Sequence, residues 1–428
     1  MGGSDTRCRC VRVSDYAMNL CAPLLLLTAS AFGVDWPQLL GPTRNGIYSG
    51  TELADHWPKE GPAVVWQRQV GQGFSGPSVA ARKLILFHRV EDREVVECLE
   101  AATGKALWNY GYATAYRDDF GFDEGPRATP TIADGRVYTY GAEGVLTCLE
   151  LESGKKLWSV DAKSDFHTPK GFFGIACSPL IEGNALLVNV GGRSGSGIVA
   201  FDKSSGKVLW KTTDDEASYS SPLAGTFGGR RVALVLTRSE LVAVEPANGN
   251  LSFRFPFQPP IRNSVTAAMP LVIGDLIFLS ASYGTGAALL RVKEDGAGVE
   301  KVWSSDEALS SHYATSVERD GFLYGIHGRT DPGFEPLASL RCVELKTGKL
   351  RWEKEGFGAA TLILASRELL ILTERGELVR VAASPEGFRS LARAQILSNQ
   401  VRAHPALADG LYYARSKDKM VCLDLRKH

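Results

Sequence analysis

The residues best suited to chemistry are aromatic and cationic, and most of them recur at one place in a repeated pattern. Phe74, Arg127, Phe173, Tyr219, Tyr313 and Arg402 each stand just before a short strand-opening segment, and His312 precedes Tyr313. Arg193, Tyr283, His327 and Arg329 fall in the turns that follow second strands. Aromatic faces give stacking area and guanidinium groups give forked contacts, so such a ring suits a flat or anionic ligand. The same residues could instead fill a channel, with the arginines bound to backbone carbonyls. Arg238 and Arg415 stand at the margin of the set. No nucleophile with a neighbouring base can be picked out, so catalytic residues stay unassigned. His312 and His327 would serve as bases only with partners that the sequence does not identify.

Other candidate chemistry is weaker. The connection from Asn109 to Pro126 carries Asp118, Asp119, Asp123 and Glu124, oxygen donors of the kind calcium takes. They lack the fixed spacing of a calcium loop, and a solvated acidic loop paired with Arg117 and Arg127 is the simpler reading. The stretch Gly191-Gly192-Arg193-Ser194-Gly195-Ser196-Gly197 lies between two strands rather than before a helix, so it reads as a flexible hairpin and not a phosphate loop. Cys98, Cys148, Cys342 and Cys422 occupy equivalent positions on third strands, too far apart for disulfides, and are expected as buried free thiols. No Cys/His cluster has zinc spacing, and no metal site is expected.

What must position these residues is a repeat. The phrase Thr103-Gly104-Lys105-Ala106-Leu107-Trp108 returns as Ser153-Gly154-Lys155-Lys156-Leu157-Trp158, at Ser205 to Trp210 and at Thr347 to Trp352, and decays at Asn248 to Phe253. Trp66 and Trp303 end similar strands, so six of the eight Trp residues share one slot. Successive slots are 39 to 52 residues apart when Phe253 and Leu391 fill the weak ones, a period of repeated sheets. Within one unit, Pro130 opens a strand where its missing N–H costs least, Asp134-Gly135 signals a two-residue hairpin, and further turns fall at Ala142 to Gly144 and Ser153-Gly154. Four short antiparallel strands per unit cannot bury both faces alone. The expected fold is all-β, an eight-bladed propeller, with seven blades as the alternative. Trp66, Trp108, Trp158, Trp210, Trp303 and Trp352 are its docking residues. The last unit lacks a fourth strand, and Pro62 to Trp66 supplies it, closing the ring.

With 48 basic and 48 acidic side chains the chain has no footprint for nucleic acid. Arg7, Arg9 and Arg12 precede an apolar run from Ala17 to Ala31 that ends in small residues, the form of an export signal over 1–33. That run is too short and too poorly flanked for a transmembrane helix. Residues 34–61 are expected as a surface clasp and 62–428 as the propeller. A periplasmic or secreted monomer is expected.

The repeats resemble the pyrroloquinoline-quinone (PQQ)-like repeat, through Cys148-Leu149-Glu150 before Trp158 and Phe201-Asp202 before Trp210. Trp36 to Gly46 is similar to the opening motif of exported bacterial PQQ-like propellers, and Gly125 to Pro130 to their second-blade opening. The resemblance implies eight blades and two branches. One branch is the quinoprotein dehydrogenases, which hold PQQ and calcium on the axis; here Arg127 and Arg402 would take the quinone's carboxylates. Their adjacent Cys pair is missing from this chain, and their catalytic Asp has no matching position. The other branch is non-catalytic and includes the propeller subunit of the outer-membrane β-barrel assembly machinery, which needs no cofactor. That relative is lipid-anchored, and Cys21 here does not sit in a lipoprotein cleavage pattern. The resemblance leans toward a non-catalytic scaffold that binds an envelope protein or a small ligand at its axial face, with a PQQ-dependent alcohol or sugar oxidoreductase as the alternative.

Overall fold

The computed structural model describes residues 1–3, 34–261, 264–329, 338–398 and 400–427. Nearly all of the expected export signal therefore lies outside the described residues. From Val34 onward the described residues form eight sheets, each of four antiparallel strands, one of which gains Ile47–Tyr48 as a fifth, parallel strand. Seven are consecutive in sequence, spanning 78–113, 131–161, 180–212, 223–256, 271–305, 317–354 and 360–395. The eighth takes three strands from 406–424 and its outermost strand, Ala63–Gln69, from the other end of the chain, with Trp66 opposite Cys422. This is the eight-bladed propeller expected from the repeat period. The weak seventh unit is a full blade, so the seven-blade alternative falls.

Blade 2 shows why the sequence folds this way. Its strands are Thr131–Ala133, Arg136–Tyr140, Val145–Glu150 and Lys156–Asp161, paired in simple order. Asp134 and Gly135 both take positive φ, 49° and 70°, the mirror-image turn whose twist suits a hairpin. Tyr138 and Trp158 both lie opposite Cys148, and over this small thiol the two rings meet at 6.1 Å. The same trio recurs as Tyr324, Cys342 and Trp352, and as Tyr413, Cys422 and Trp66. All five described cysteines are free and buried. Burial pushes the Cys148 and Cys422 thiols up to about 12, so they act as small apolar fillers.

Blades join through the tryptophans. Each indole N–H donates to a backbone carbonyl of the next blade: Trp66 to Ala101 (2.9 Å), Trp108 to Leu151 (2.9 Å), Trp158 to Lys203 (3.1 Å), Trp210 to Pro246 (3.0 Å), Trp303 to Leu345 (2.8 Å) and Trp352 to Ser384 (2.8 Å). Where the next blade carries the Gly-Lys turn or its Asn-Gly relic, the ring lies on that glycine. A Cβ on Gly104, Gly154, Gly206, Gly249 or Gly348 would stand 2.5–3.0 Å from the ring behind it. A register shift interrupts all eight outermost strands at this slot; Leu107, Leu157, Leu209 and Val302 are the extra residues just before their tryptophans. A bulge re-aims the side chain that follows it and bends the exposed edge.

The N-terminal segment departs from expectation in its first part. Residues 36–48 run along the innermost strands in the axial channel, whereas residues 49–60 are largely exposed and tie to blades 7 and 8. Trp36, 1% exposed, exchanges both backbone hydrogen bonds with Val79 on the innermost strand of blade 1. Pro37 O accepts the Ile132 N–H of blade 2, and Ile47–Tyr48 runs parallel to the innermost strand of blade 7. Arg44, 2% exposed, has no carboxylate partner among the described residues. Its guanidinium donates to Pro222 O (2.8 Å), to Pro179 O and to Gln38 Oε1 (2.8 Å), bridging blades 3 and 4. Burial lowers its pKa to about 10, which leaves it charged at neutral pH.

The tryptophan–glycine contact can be isolated by two alanines. Gly154 and Gly135 share φ +70°, but a Cβ at Gly154 would meet Trp108 at 2.5 Å while one at Gly135 meets nothing. Gly135→Ala is expected to cost about 1–2 kcal/mol for the left-handed backbone alone. Gly154→Ala adds about 1–3 kcal/mol of overpacking. Urea denaturation of both variants checks this; equal midpoints would show that the ring yields freely.

Candidate functional site

In four blades a residue with a hydroxyl or an imidazole, followed by proline, precedes the innermost strand: Thr129, Ser178, Ser221 and His404. Such positions are stitched together around the axis. The backbone N–H of Gly76 donates to Thr129 Oγ1 (3.3 Å), that of Thr129 to Ser178 Oγ (2.8 Å), and that of Ser178 to Ser221 Oγ (2.8 Å). The N–H of Met269 donates likewise to Thr315 Oγ1 (2.9 Å). The belt satisfies donors that no strand partner reaches. It also fixes the connections just before it, where the aromatic and cationic residues stand.

These connections enclose a cavity of about 480 Å³ on the axis. Phe74, Arg127, Phe173, Tyr219, Tyr283, His312, Tyr313 and Arg402 all line it, so eight of the eleven residues picked out by position share one space. Leu39 of the N-terminal segment also lines it, while Pro42 and Thr43 of that segment are exposed. One wall is a continuous aromatic cluster: Phe120 to Phe173 at 5.3 Å, Phe122 to Phe173 at 6.1 Å, and Phe173 to Tyr219 at 5.6 Å between centroids. In a second cluster His312 meets Tyr283 and Tyr313 edge-on at 5.6 and 5.7 Å, with the Tyr283 hydroxyl 3.3 Å from His312 Nε2.

The two arginines are tied into the walls. Arg127 forms an ion pair with Asp118 at 2.8 Å, with the Asp118 side chain fully buried, and its guanidinium lies 5.5–5.8 Å from the rings of Phe74, Tyr116 and Phe173. Arg402 pairs with Glu374 at 2.8 Å and lies over Phe74 and Phe122. Tyr313 donates to the same Glu374 carboxylate at 3.1 Å, and burial raises its phenol well above the ordinary tyrosine range. The cavity is apolar and formally neutral.

Three positions lie elsewhere. Arg193 is exposed on its hairpin, since the glycines around it turn the chain outward and its N–H is held by Phe166 O. His327 ends a strand inside blade 6 and accepts the Ser310 N–H on Nδ1 (3.0 Å). Arg329 is not among the lining residues; its guanidinium lies 4.1 Å above the Tyr283 ring. Of the marginal residues, Arg415 is fully buried and donates to Gly71 O at 2.6 Å, and Arg238 lies beside Glu216 at 3.4 Å.

Calcium-bound PQQ finds no ready site in this cavity. Calcium takes six to eight oxygens, yet among the described residues no three His, Cys, Asp or Glu side chains converge. Asp118 also accepts the Phe120 and Asp123 N–H groups besides pairing with Arg127, Lys170 holds Asp119, and Arg117 holds Glu124 at 3.3 Å. The acidic loop is thus an arginine- and lysine-paired loop. Arg127 and Arg402, which a quinone's carboxylates would need, already pair with Asp118 and Glu374. A quinone here would have to share both guanidiniums with these acids.

Several lining residues escaped the pattern. Phe120 and Phe122 belong to the long connection whose carboxylates drew attention first; their signal was the loop's length. Leu39 comes from a segment remote in sequence, and nothing local marks it. His404 follows the X-Pro pattern of the belt. Its Nδ1 is buried without a partner among the described residues, and burial lowers its pKa to about 4.

Fold and site together define a PQQ-like eight-bladed propeller with its channel crossed by the N-terminal segment. Residues 92–354 match the family model described as outer membrane protein assembly factor BamB, and the chain belongs to that family. Relatives come from both branches of PQQ-like propellers. The outer membrane protein assembly factor BamB of Moranella endobia is 20% identical over 307 residues, 68% of this chain and 72% of that protein. The quinohemoprotein alcohol dehydrogenase ADH-IIG of Pseudomonas putida is 25% identical over 277 residues, 57% of this chain but only 38% of the enzyme. The crystal structure of BamB from Moraxella catarrhalis superposes with a TM-score of 0.63 at 15% identity, covering 86% of this chain and 98% of that one, which concerns the fold alone. Among the described residues no helix is long and apolar enough to cross a membrane.

The buried imidazoles predict an acid-side loss of stability. Burial lowers His88 to about 3 and His327 and His404 to about 4, against 6.5 when unfolded. The unfolded chain therefore binds these protons first. Stability from the neutral rings is complete above about pH 6.5 and is lost as pH falls from there toward 4. Urea midpoints measured from pH 7.5 to 4.5 should fall steadily, and His404→Phe should flatten part of the slope. An unchanged slope would mean that His404 is solvated.

Proposed function

We propose that this chain is an exported, non-catalytic propeller scaffold of the cell envelope that holds a partner or small ligand at its axial face. Membership of the BamB family supports the scaffold role, since its members are named for outer membrane protein assembly. The observation that carries the choice of face is the axial cavity, where eight Phe and Tyr side chains meet two ion-paired arginines. A fold alone assigns no function, so the reading rests on that site. The export signal read over 1–33 supplies the compartment.

The dehydrogenase relatives keep a second reading open, in which the same face holds PQQ and oxidises an alcohol or sugar. Two measurements separate them. Titration with PQQ and calcium, followed by absorbance and by dye reduction with alcohols and sugars, is expected to show neither saturable binding nor turnover. Stoichiometric binding with dye reduction would move the protein to the oxidoreductase branch. A photo-crosslinker placed at Phe172 on the axial rim, with one at Lys349 on an outer turn as control, is expected to give a discrete adduct with an envelope protein only from the rim. Adducts only from the outer turn would move the binding surface to the blade edges.

A further inference from the structure

We infer that the axial cavity takes a small neutral aromatic molecule and discriminates against anions, although two arginines line it. This rests on the axial face being the binding face. The argument starts from what the guanidinium groups are doing. Arg127 is engaged edge and face: Asp118 Oδ2 at 2.8 Å, Asp123 O at 3.1 Å, and three aromatic rings within 6 Å. Arg402 has Glu374 at 2.8 Å and the rings of Phe74 and Phe122. An anion meets in Arg127 a guanidinium already balanced by a fully buried carboxylate, and drawing it away would leave Asp118 with only the Phe120 and Asp123 N–H groups. Breaking such a pair costs on the order of a hundredfold in affinity or more. A cation fares no better, because both carboxylates are spent on guanidinium and two positive heads flank Phe74.

A neutral ring system meets no such penalty. The Phe120–Phe173–Tyr219 cluster and the Tyr283–His312–Tyr313 cluster both line the cavity and supply aromatic surface. Tyr219 accepts the Phe173 N–H at 3.2 Å and keeps a proton to donate, so one polar handle on the ligand can be met. A cavity of about 480 Å³ has room for a molecule of two or three fused or linked rings.

A matched pair of fluorescent probes tests the inference on the full-length protein. N-phenyl-1-naphthylamine is neutral, and 8-anilinonaphthalene-1-sulfonate is the same skeleton with a sulfonate. The neutral probe should saturate at one per chain and bind at least tenfold tighter than the sulfonate. Phe173→Ala and Tyr219→Ala should each weaken it fivefold or more. Asp118→Asn, and independently Glu374→Gln, should release one guanidinium and narrow or reverse the preference; each variant is compared by circular dichroism first, and the second covers a failure of the first to fold. Equal or tighter binding of the sulfonate to the unaltered protein overturns the inference. So does neutral-probe binding that ignores both aromatic truncations, and so does absence of binding by either probe. If the probes fail while Phe172 still crosslinks to a partner, only the ligand class is wrong. If the neutral probe binds and no crosslink forms, the cavity stands and the scaffold reading falls.

Discussion

The ring depends on a flat indole resting on a glycine. A Trp ends the outer strand of one blade, its N–H finds a carbonyl on the next, and its face covers a residue that can have no side chain. The glycine is constrained twice, by its positive φ and by the ring above it, so the Gly-Lys turn and the Trp before it are two halves of one contact. Burying such a side chain is worth about 4 kcal/mol before entropy is counted. The exceptions are mixed: Trp352 docks on blade 7, which has no Gly-Lys turn, and meets Phe388 at 6.1 Å instead of a glycine. Blade 5 has no Gly-Lys turn, and the residue facing it from blade 4 is Phe253 rather than Trp. Blade 8 draws its last strand from the far end of the chain; there Gly61 meets Ala394 of blade 7, and no Trp is used.

Closing the ring this way leaves a channel that no blade can fill. Innermost strands splay from the axis, and their carbonyls need donors. The N-terminal segment answers with Trp36, Leu40 and Arg44, all buried. Using a guanidinium rather than an aliphatic side chain follows from what it meets: the carbonyls of Pro179 and Pro222, which have no N–H of their own residue to pair beside them. The same segment puts Leu39 into the wall of the cavity, so the site is not made of propeller repeats alone.

The fold was legible because its signal is redundant. Eight copies of one plan survive the loss of Trp in two of them, and the Asp-Gly turns and X-Pro strand starts repeat the same register. The ring of candidate residues was legible for a related reason: an equal offset in sequence is an equal height on the axis, so Phe74, Arg127, Tyr219, Tyr313 and Arg402 had to face one another. Arg193 failed because its hairpin is glycine-rich and turns outward, and His327 because its position in the strand points it into the blade. What sequence could not supply was pairing. Asp118 looked like one of four acids on a loop, and Glu374 carried no signal at all, until the structure set each against an arginine.

That pairing is what separates this cavity from the anion site its arginines first suggest. Charge in a cavity wall is not charge available to a ligand. A guanidinium in a low-dielectric space must be compensated before any ligand arrives, and a protein without a permanent anionic cofactor has to supply the compensation itself. Asp118 and Glu374 do so here, while the aromatic faces under each guanidinium absorb part of the remaining field. In a propeller that relied on an anionic cofactor, such carboxylates would compete with it for the same arginines. The arrangement therefore reads as a self-balanced wall, one that holds its aromatic side chains in place and leaves stacking, rather than ion pairing, as the means of recognition.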